Sequence, residues 1–261
     1  MNNRVAQFLI LGLSVVLVIA LTVPNWNSSQ MNHSGSKTTA NQSNTGSFDE
    51  ASYILAISEI IAENDLSIEE DFPLSADINA DSTQKLITKA VAQGLAPVAA
   101  YFTEKQYGLN SEDSFLLQSA RYLVVASNLT ESENHNSIFL LKALSLLELY
   151  LAQNPNSEDA QILKAYTLVR TNPAPMEGIA LLLEVLEQNP NQTDALYLLG
   201  QFSIESQQFE KAVERFKKLL SLQPSNPDYY FKLSEIYSKM ELKDSSEYYL
   251  NKGIEAKRRD P

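Results

Sequence analysis

The chain has 261 residues, with 20 Lys+Arg against 32 Asp+Glu and no cysteine. That length is enough for one or two domains with their own cores, and the empty cysteine column excludes disulfides, thiol nucleophiles, iron–sulfur clusters, zinc ribbons and cysteine-linked lipid. A net charge of −12 argues against a nucleic-acid partner, which needs a positive surface.

The charge is unevenly placed. Residues 1–48 hold Arg4 and Lys37 and no acid, which leaves 18 − 32 = −14 for the other 213 residues. Within the first part, residues 1–4 precede an uncharged aliphatic run, Val5–Val23. As a helix, its 19 residues span about 28 Å, close to the hydrocarbon thickness of a bilayer. The run is longer than the apolar core of a cleaved signal peptide, and no small-x-small cleavage site follows it. The expectation is therefore a single transmembrane signal anchor. Arg4 before the span, with the next basic residue only at Lys37, predicts a short cytoplasmic N-terminus and a translocated body. The chain would then be a single-pass membrane protein whose body lies on the periplasmic side of a bacterial inner membrane. Residues 24–47 are almost all Asn, Ser, Thr, Gln and Gly, a polar linker that cannot bury enough surface to order itself.

Beyond the linker the pattern is helical and without strands. Residues 48–80 comprise an amphipathic stretch, Phe48–Ala62, and an acidic, proline-containing break. The carboxylates Glu69, Glu70 and Asp71 within that break read as a solvated loop. From there on, three segments end alike, in LELYLAQNPN, LLEVLEQNPN and KKLLSLQPSN. Their prolines, Pro155, Pro190 and Pro224, are spaced 35 and 34 residues apart. The clearest unit, 193–226, carries Leu196, Leu199, Gly200, Ser203, Ala212, Phe216 and Pro224. Gly200 and Ala212 would let two helices approach closely, Leu199 and Phe216 would fill the surrounding space, and Pro224 would stop the second helix.

These residues and this period resemble the tetratricopeptide repeat family. The unit 159–192 fits with Ile162, Ala165, Val169, Gly178, Leu182 and Pro190, but Tyr166 stands in the small-residue slot. The terminal unit 227–261 supplies Tyr230, Leu233, Ser234, Tyr237, Ser246 and Leu250, and ends in a polar tail holding Lys257, Arg258 and Arg259. The unit 113–158 matches through Leu116, Ala120, Leu123, Ala143, Leu147 and Pro155, with an expected inserted loop of about eleven residues around NLTESENHNS. Residues 81–112 look like a degenerate repeat that breaks at Gly94 and places Phe102 in the aromatic slot. The fold class expected is all-α, a tetratricopeptide helix-hairpin solenoid of about four to five units.

The resemblance implies a non-enzymatic scaffold that binds a protein or peptide in a concave groove lined by the first helix of each unit. The positions implied for the groove are Leu117, Leu163, Tyr197 and Phe231, then Arg121, Thr167, Gln201 and Glu235, then Val124, Arg170, Ile204 and Ser238. The Lys/Asn clamp with which chaperone-binding members grip a C-terminal carboxylate is absent, since Tyr197, Gln201, Phe231 and Glu235 occupy its places. An apolar stripe flanked by Arg121 and Arg170 suits an extended or helical partner segment. The stripe has two other possible occupants, the chain's own residues 48–62 or a second copy. The runner-up functions are a structural protein acting by homo-oligomerisation and a chaperone-like factor in c-type cytochrome maturation. A catalytic role is not expected, because the chain has no G-x-S-x-G, no H-E-x-x-H and no phosphate-binding glycine loop. His33 and His135 have no ligand-spaced companions, so no metal or other cofactor is expected either.

Overall fold

The computed structural model describes residues 49–75, 77–171 and 175–259. Val5–Val23 and the polar linker lie outside them. Among the described residues every regular element is an α-helix, eleven in all, and none is long and apolar enough to cross a membrane. In chain order these are α1 (Glu50–Glu63), α2 (Ala80–Ala92), α3 (Ala96–Asn110), α4 (Ser114–Leu129), α5 (Glu133–Gln153), α6 (Glu158–Thr171), α7 (Met176–Gln188), α8 (Thr193–Glu205), α9 (Phe209–Leu222), α10 (Pro227–Lys239) and α11 (Lys243–Arg259). The chain divides after Gly178 into two compact units.

In the N-terminal unit α2 pairs with α3 and α4 with α5, while α3 packs on α4 and α5 on α6. Among the described residues, helix α1 belongs to no hairpin. Asp49 caps it by accepting from the amides of Ala51 and Ser52, and it buries Tyr53, Ala56, Ile57 and Ile61. Burial of each isoleucine is worth roughly 1.5–3 kcal/mol, and here the packing falls mainly against α5 and α3, the second helices of their hairpins. In the described part of that stretch, residues 49–62, the buried face is thus committed mainly to second helices rather than to a first-helix groove. The acidic break between α1 and α2 is anchored by Asp71, whose carboxylate accepts from Lys89 Nζ at 2.6 Å. That ion pair holds the Asp71 carboxyl below the usual carboxylate range.

The eleven-residue inserted loop expected near NLTESENHNS is not a loop. Residues 130–132 alone connect α4 to α5, and the extra sequence lengthens the helices, α4 to 16 residues and α5 to 21. The physical reason is capping. Ser132 Oγ accepts from the His135 amide at 3.3 Å and starts α5 early, and Asn136 Nδ2 donates to Ser127 O at 2.8 Å across the turn.

The C-terminal unit contains the hairpins α8–α9 and α10–α11, with α9 packed on α10. Their turns are the same backbone device. Gln207 and Glu241, 34 positions apart, take φ of 59° and 60°, and the next amides, Gln208 and Leu242, donate back to Ser203 O and Tyr237 O at 2.8 and 2.9 Å. Gly94 closes α2 in the same way, with φ 74° and a bond from the Leu95 amide to Ala90 O at 2.9 Å.

Candidate functional site

On the C-terminal unit the first helices are α8 and α10. Tyr197 of α8, expected to face a partner, is 5 % exposed. Its ring meets Phe216 edge-on at 5.6 Å and Tyr229 at 6.4 Å, so it joins α8, α9 and α10 in one aromatic cluster. Burial pushes its hydroxyl pKa far up, keeping it a neutral donor/acceptor, and it accepts from Gln201 Nε2 at 3.3 Å. Phe231 of α10 is half-buried, and its ring lies against Gly253 of α11, where an added Cβ would come within 2.6 Å of it. Tyr197 is therefore a packing residue rather than a groove residue, because there the slot after the tryptophan position turns toward the neighbouring helices, whereas Phe231 packs on α11 and keeps part of its surface exposed. Gln201 and Ile204 are half-buried, while Glu235 and Ser238 are exposed. Glu235 sits between Lys232 at 3.1 Å and Lys239 at 3.9 Å.

On the N-terminal unit the same correction holds for Leu163, 1 % exposed, and for Thr167 and Val124, both buried. Thr167 spends its hydroxyl on Leu163 O within α6 at 2.8 Å. Leu117, Arg121 and Arg170 stay half-exposed. Arg121 does not stand free to flank a partner. Its Nη2 donates to Asp159 of α6 at 2.9 Å and ties two neighbouring first helices together. The Arg170 guanidinium lies 5.4 Å over the ring of Tyr166. Tyr166, in the slot where a small residue was expected, is buried and donates to Asn128 Oδ1 of α4 at 2.8 Å. Close approach is supplied instead at Gly178, where a Cβ would meet Ala165 O at 2.4 Å and Val169 Cγ2 at 2.7 Å. Of the implied apolar stripe, Leu163 and Tyr197 are buried in the core, while Leu117 and Phe231 keep part of their surface exposed.

Several polar features were not legible in the repeat pattern. Lys142 of α5 is 5 % exposed and donates to Glu104 of α3 at 2.7 Å and to Glu50 of α1 at 3.1 Å, with its ammonium 5.2 Å over the Tyr53 ring. Burial raises the Glu104 carboxyl pKa, and Lys142 pulls it back down. His135 Nε2 lies 2.8 Å from Glu59 Oε2, a second polar tie between α5 and α1. Arg215 of α9 reaches into its own hairpin and donates to Leu199 O at 3.0 Å and to Ser203 Oγ. A lysine in an otherwise apolar stretch (FLLKALSLL) is the one sequence signal that could have flagged the buried triad. Among the described residues no group of three or more His, Cys, Asp or Glu is arranged to hold a metal ion.

Residues 175–233 and 227–260 match models of the tetratricopeptide repeat. No curated protein sequence matches the chain. Solved structures with a similar fold include MamA residues 41 to the end from Desulfovibrio magneticus RS-1, at 18 % identity and TM-score 0.53, over 69 % of this chain and 96 % of that one. A MamA RS-1 double mutant (ArsTM) matches at 19 % identity and TM-score 0.52 over the same shares, and a further MamA crystal structure at 18 % and 0.51, over 67 % and 95 %. At such identities the likeness shows the fold alone. The helical hairpins of the C-terminal third are tetratricopeptide repeats, and the described residues together form an all-helical, tetratricopeptide-like fold.

Proposed function

We propose that the chain is a membrane-anchored scaffold that binds a protein segment along the first helices of its hairpins. The observation that carries this reading is the row of polar side chains on those helices in the C-terminal unit, half-buried Gln201 with exposed Glu235 and Ser238. A rigid platform with adaptable polar groups on one helix row favours recognition by hydrogen bonds and charge rather than by a deep apolar pocket. The anchor is Val5–Val23, with residues 24–47 as tether and the repeats on the periplasmic side. A role in c-type cytochrome maturation is a narrower form of the same reading.

Photo-crosslinking side chains placed at Gln201 and Glu235 in the full chain test the surface in cells. The expected result is one discrete protein partner captured from both positions and not from Lys218 on α9. Equal capture from all three, or none, overturns it. The cysteine-free sequence makes the topology test direct, because a single Ser225→Cys change should be labelled by a membrane-impermeant maleimide on the outer side only.

Self-association is favoured by one separate observation. The terminal helix α11 exposes Tyr248, Leu250 and Ile254. Concentration-dependent light scattering of the full chain, abolished by Leu250→Glu with Ile254→Glu, would place the function in assembly instead.

A further inference from the structure

We infer that the N-terminal unit carries a second binding site, a cleft that takes a lysine or arginine side chain presented by a partner protein segment. It goes beyond the first-helix surface and stands or falls independently of it. The cleft has a volume of about 800 Å³ and lies where the C-terminal end of α1 meets the α2–α3 turn and the α4–α5 connection. That is within the usual size range of ligand clefts. Two departures from the repeat build it: α1, which pairs into no hairpin among the described residues, and the extra length of α4 and α5 that replaces the expected loop.

Its charge is one-sided. Glu59, Glu63 and Glu131 line it, and no lysine or arginine does. Glu59 is shared with His135, whereas Glu63 and Glu131 are exposed. The ends of α1, α2 and α4 bring the negative ends of three helix dipoles to the wall, that of α2 offset by Lys89 in its last turn. Neither α1 nor α4 has a basic residue in its last turn to offset that. The opposing N-termini of α3 and α5 are weakened as cation repellents. Pro97 lacks an amide at the start of α3, and α5 begins with the Ser132 cap followed by Glu133. Apolar surface lies beside that charge, chiefly Leu129, which is 41 % exposed. Apolar lining next to exposed carboxylates is the environment that a long cationic side chain satisfies, with its stem on Leu129 and its charged head at Glu63 and Glu131. The wall is already set. Ser132 donates its amide to Thr130 Oγ1 at 3.2 Å, Asn136 spans the turn to Ser127 O, and Asn64 Nδ2 donates to Ile60 O at 2.8 Å. Little ordering is left to be done on binding.

The test titrates the full chain with the labelled, end-blocked peptide Leu-Arg-Ala-Arg-Leu and with versions carrying norleucine or glutamate in place of arginine. The arginine peptide should bind saturably and weaken with salt, the norleucine peptide at least about tenfold less tightly, and the glutamate peptide not at all. Glu63→Lys with Glu131→Lys should cost at least about tenfold in affinity, and Leu129→Ala about threefold. The same charge change at exposed Glu69 and Glu70 in the α1–α2 loop should leave the affinity within about twofold. If Glu63→Lys with Glu131→Lys perturbs the circular dichroism melt, Glu63→Gln with Glu131→Gln provides the measurement. No binding of the arginine peptide, or equal losses from both charge-swapped pairs, overturns the cleft. So does arginine amide binding as tightly as the peptide, because the ligand would then be a small amine and not a partner segment.

Discussion

The hairpins α8–α9 and α10–α11 share a fold, a turn and a 34-residue register, yet they close their helix crossings by different chemistry. In the first, Gly200 admits the ring of Phe216, and a Cβ there would stand 2.7 Å from that ring. In the second, the equivalent position is Ser234, whose Oγ donates to Ser246 O at 2.8 Å while Ser246 Oγ donates back to Ser234 O at 2.9 Å. The aromatic then shifts to the other end of the contact, where Phe231 packs on Gly253. The repeat fixes where two helices must come close. It does not fix whether a missing side chain or a reciprocal pair of hydrogen bonds lets them do so.

The largest expected contrast is at the aromatic slot. Phe216→Ala empties a fully buried site and should cost about 3–5 kcal/mol, whereas Leu250→Ala, 34 positions on and 44 % exposed, should cost less than about 1 kcal/mol in the same urea titration. Comparable losses at both positions would mean that α11 is covered in solution. Next, Gly200→Leu should destabilise by roughly 1–3 kcal/mol through overpacking against Phe216. Ser234→Ala should cost about 1 kcal/mol by removing one half of the hydrogen-bonded crossing, read as faster amide exchange confined to α10 and α11. The smallest effect has the opposite sign. Gln207→Gly and Glu241→Gly relieve left-handed backbone and should each raise stability by about 0.5–1 kcal/mol in thermal melts. Unequal gains would show that the two turns are less alike than their dihedral angles.

The repeat period made the C-terminal hairpins legible because it records residues that neighbours force to be small or large. Gly200, Ala212 and Phe216 are buried and packed as that logic requires. The unit of α10 and α11 departs from it at Leu250, which keeps the slot but is exposed. Tyr229, rather than Tyr230, is the buried member of its pair, because it completes the cluster with Tyr197 and Phe216. The implied groove was much less legible. One residue along a helix is a rotation of 100°, so a register inferred from spacing decides between core and surface on a small margin. Leu163 and Tyr197 fell on the core side of that margin. The polar ties at Lys142, His135 and Arg215 depend on partners between 12 and 92 residues distant, and no local period encodes such pairs.

Helix α1 also sets how a mechanical load would enter the N-terminal unit. A pull applied at residue 49 reaches α1 before any hairpin, and is resisted by the Glu50–Lys142 and Glu59–His135 contacts and by the buried Tyr53. If α1 is drawn away, Lys142 keeps Glu104 as a counter-ion, so its charge is not left stranded in the hairpin interface. A load entering at residue 49 would therefore fall first on the contacts of α1, and the Glu104–Lys142 pair behind them would outlast their loss.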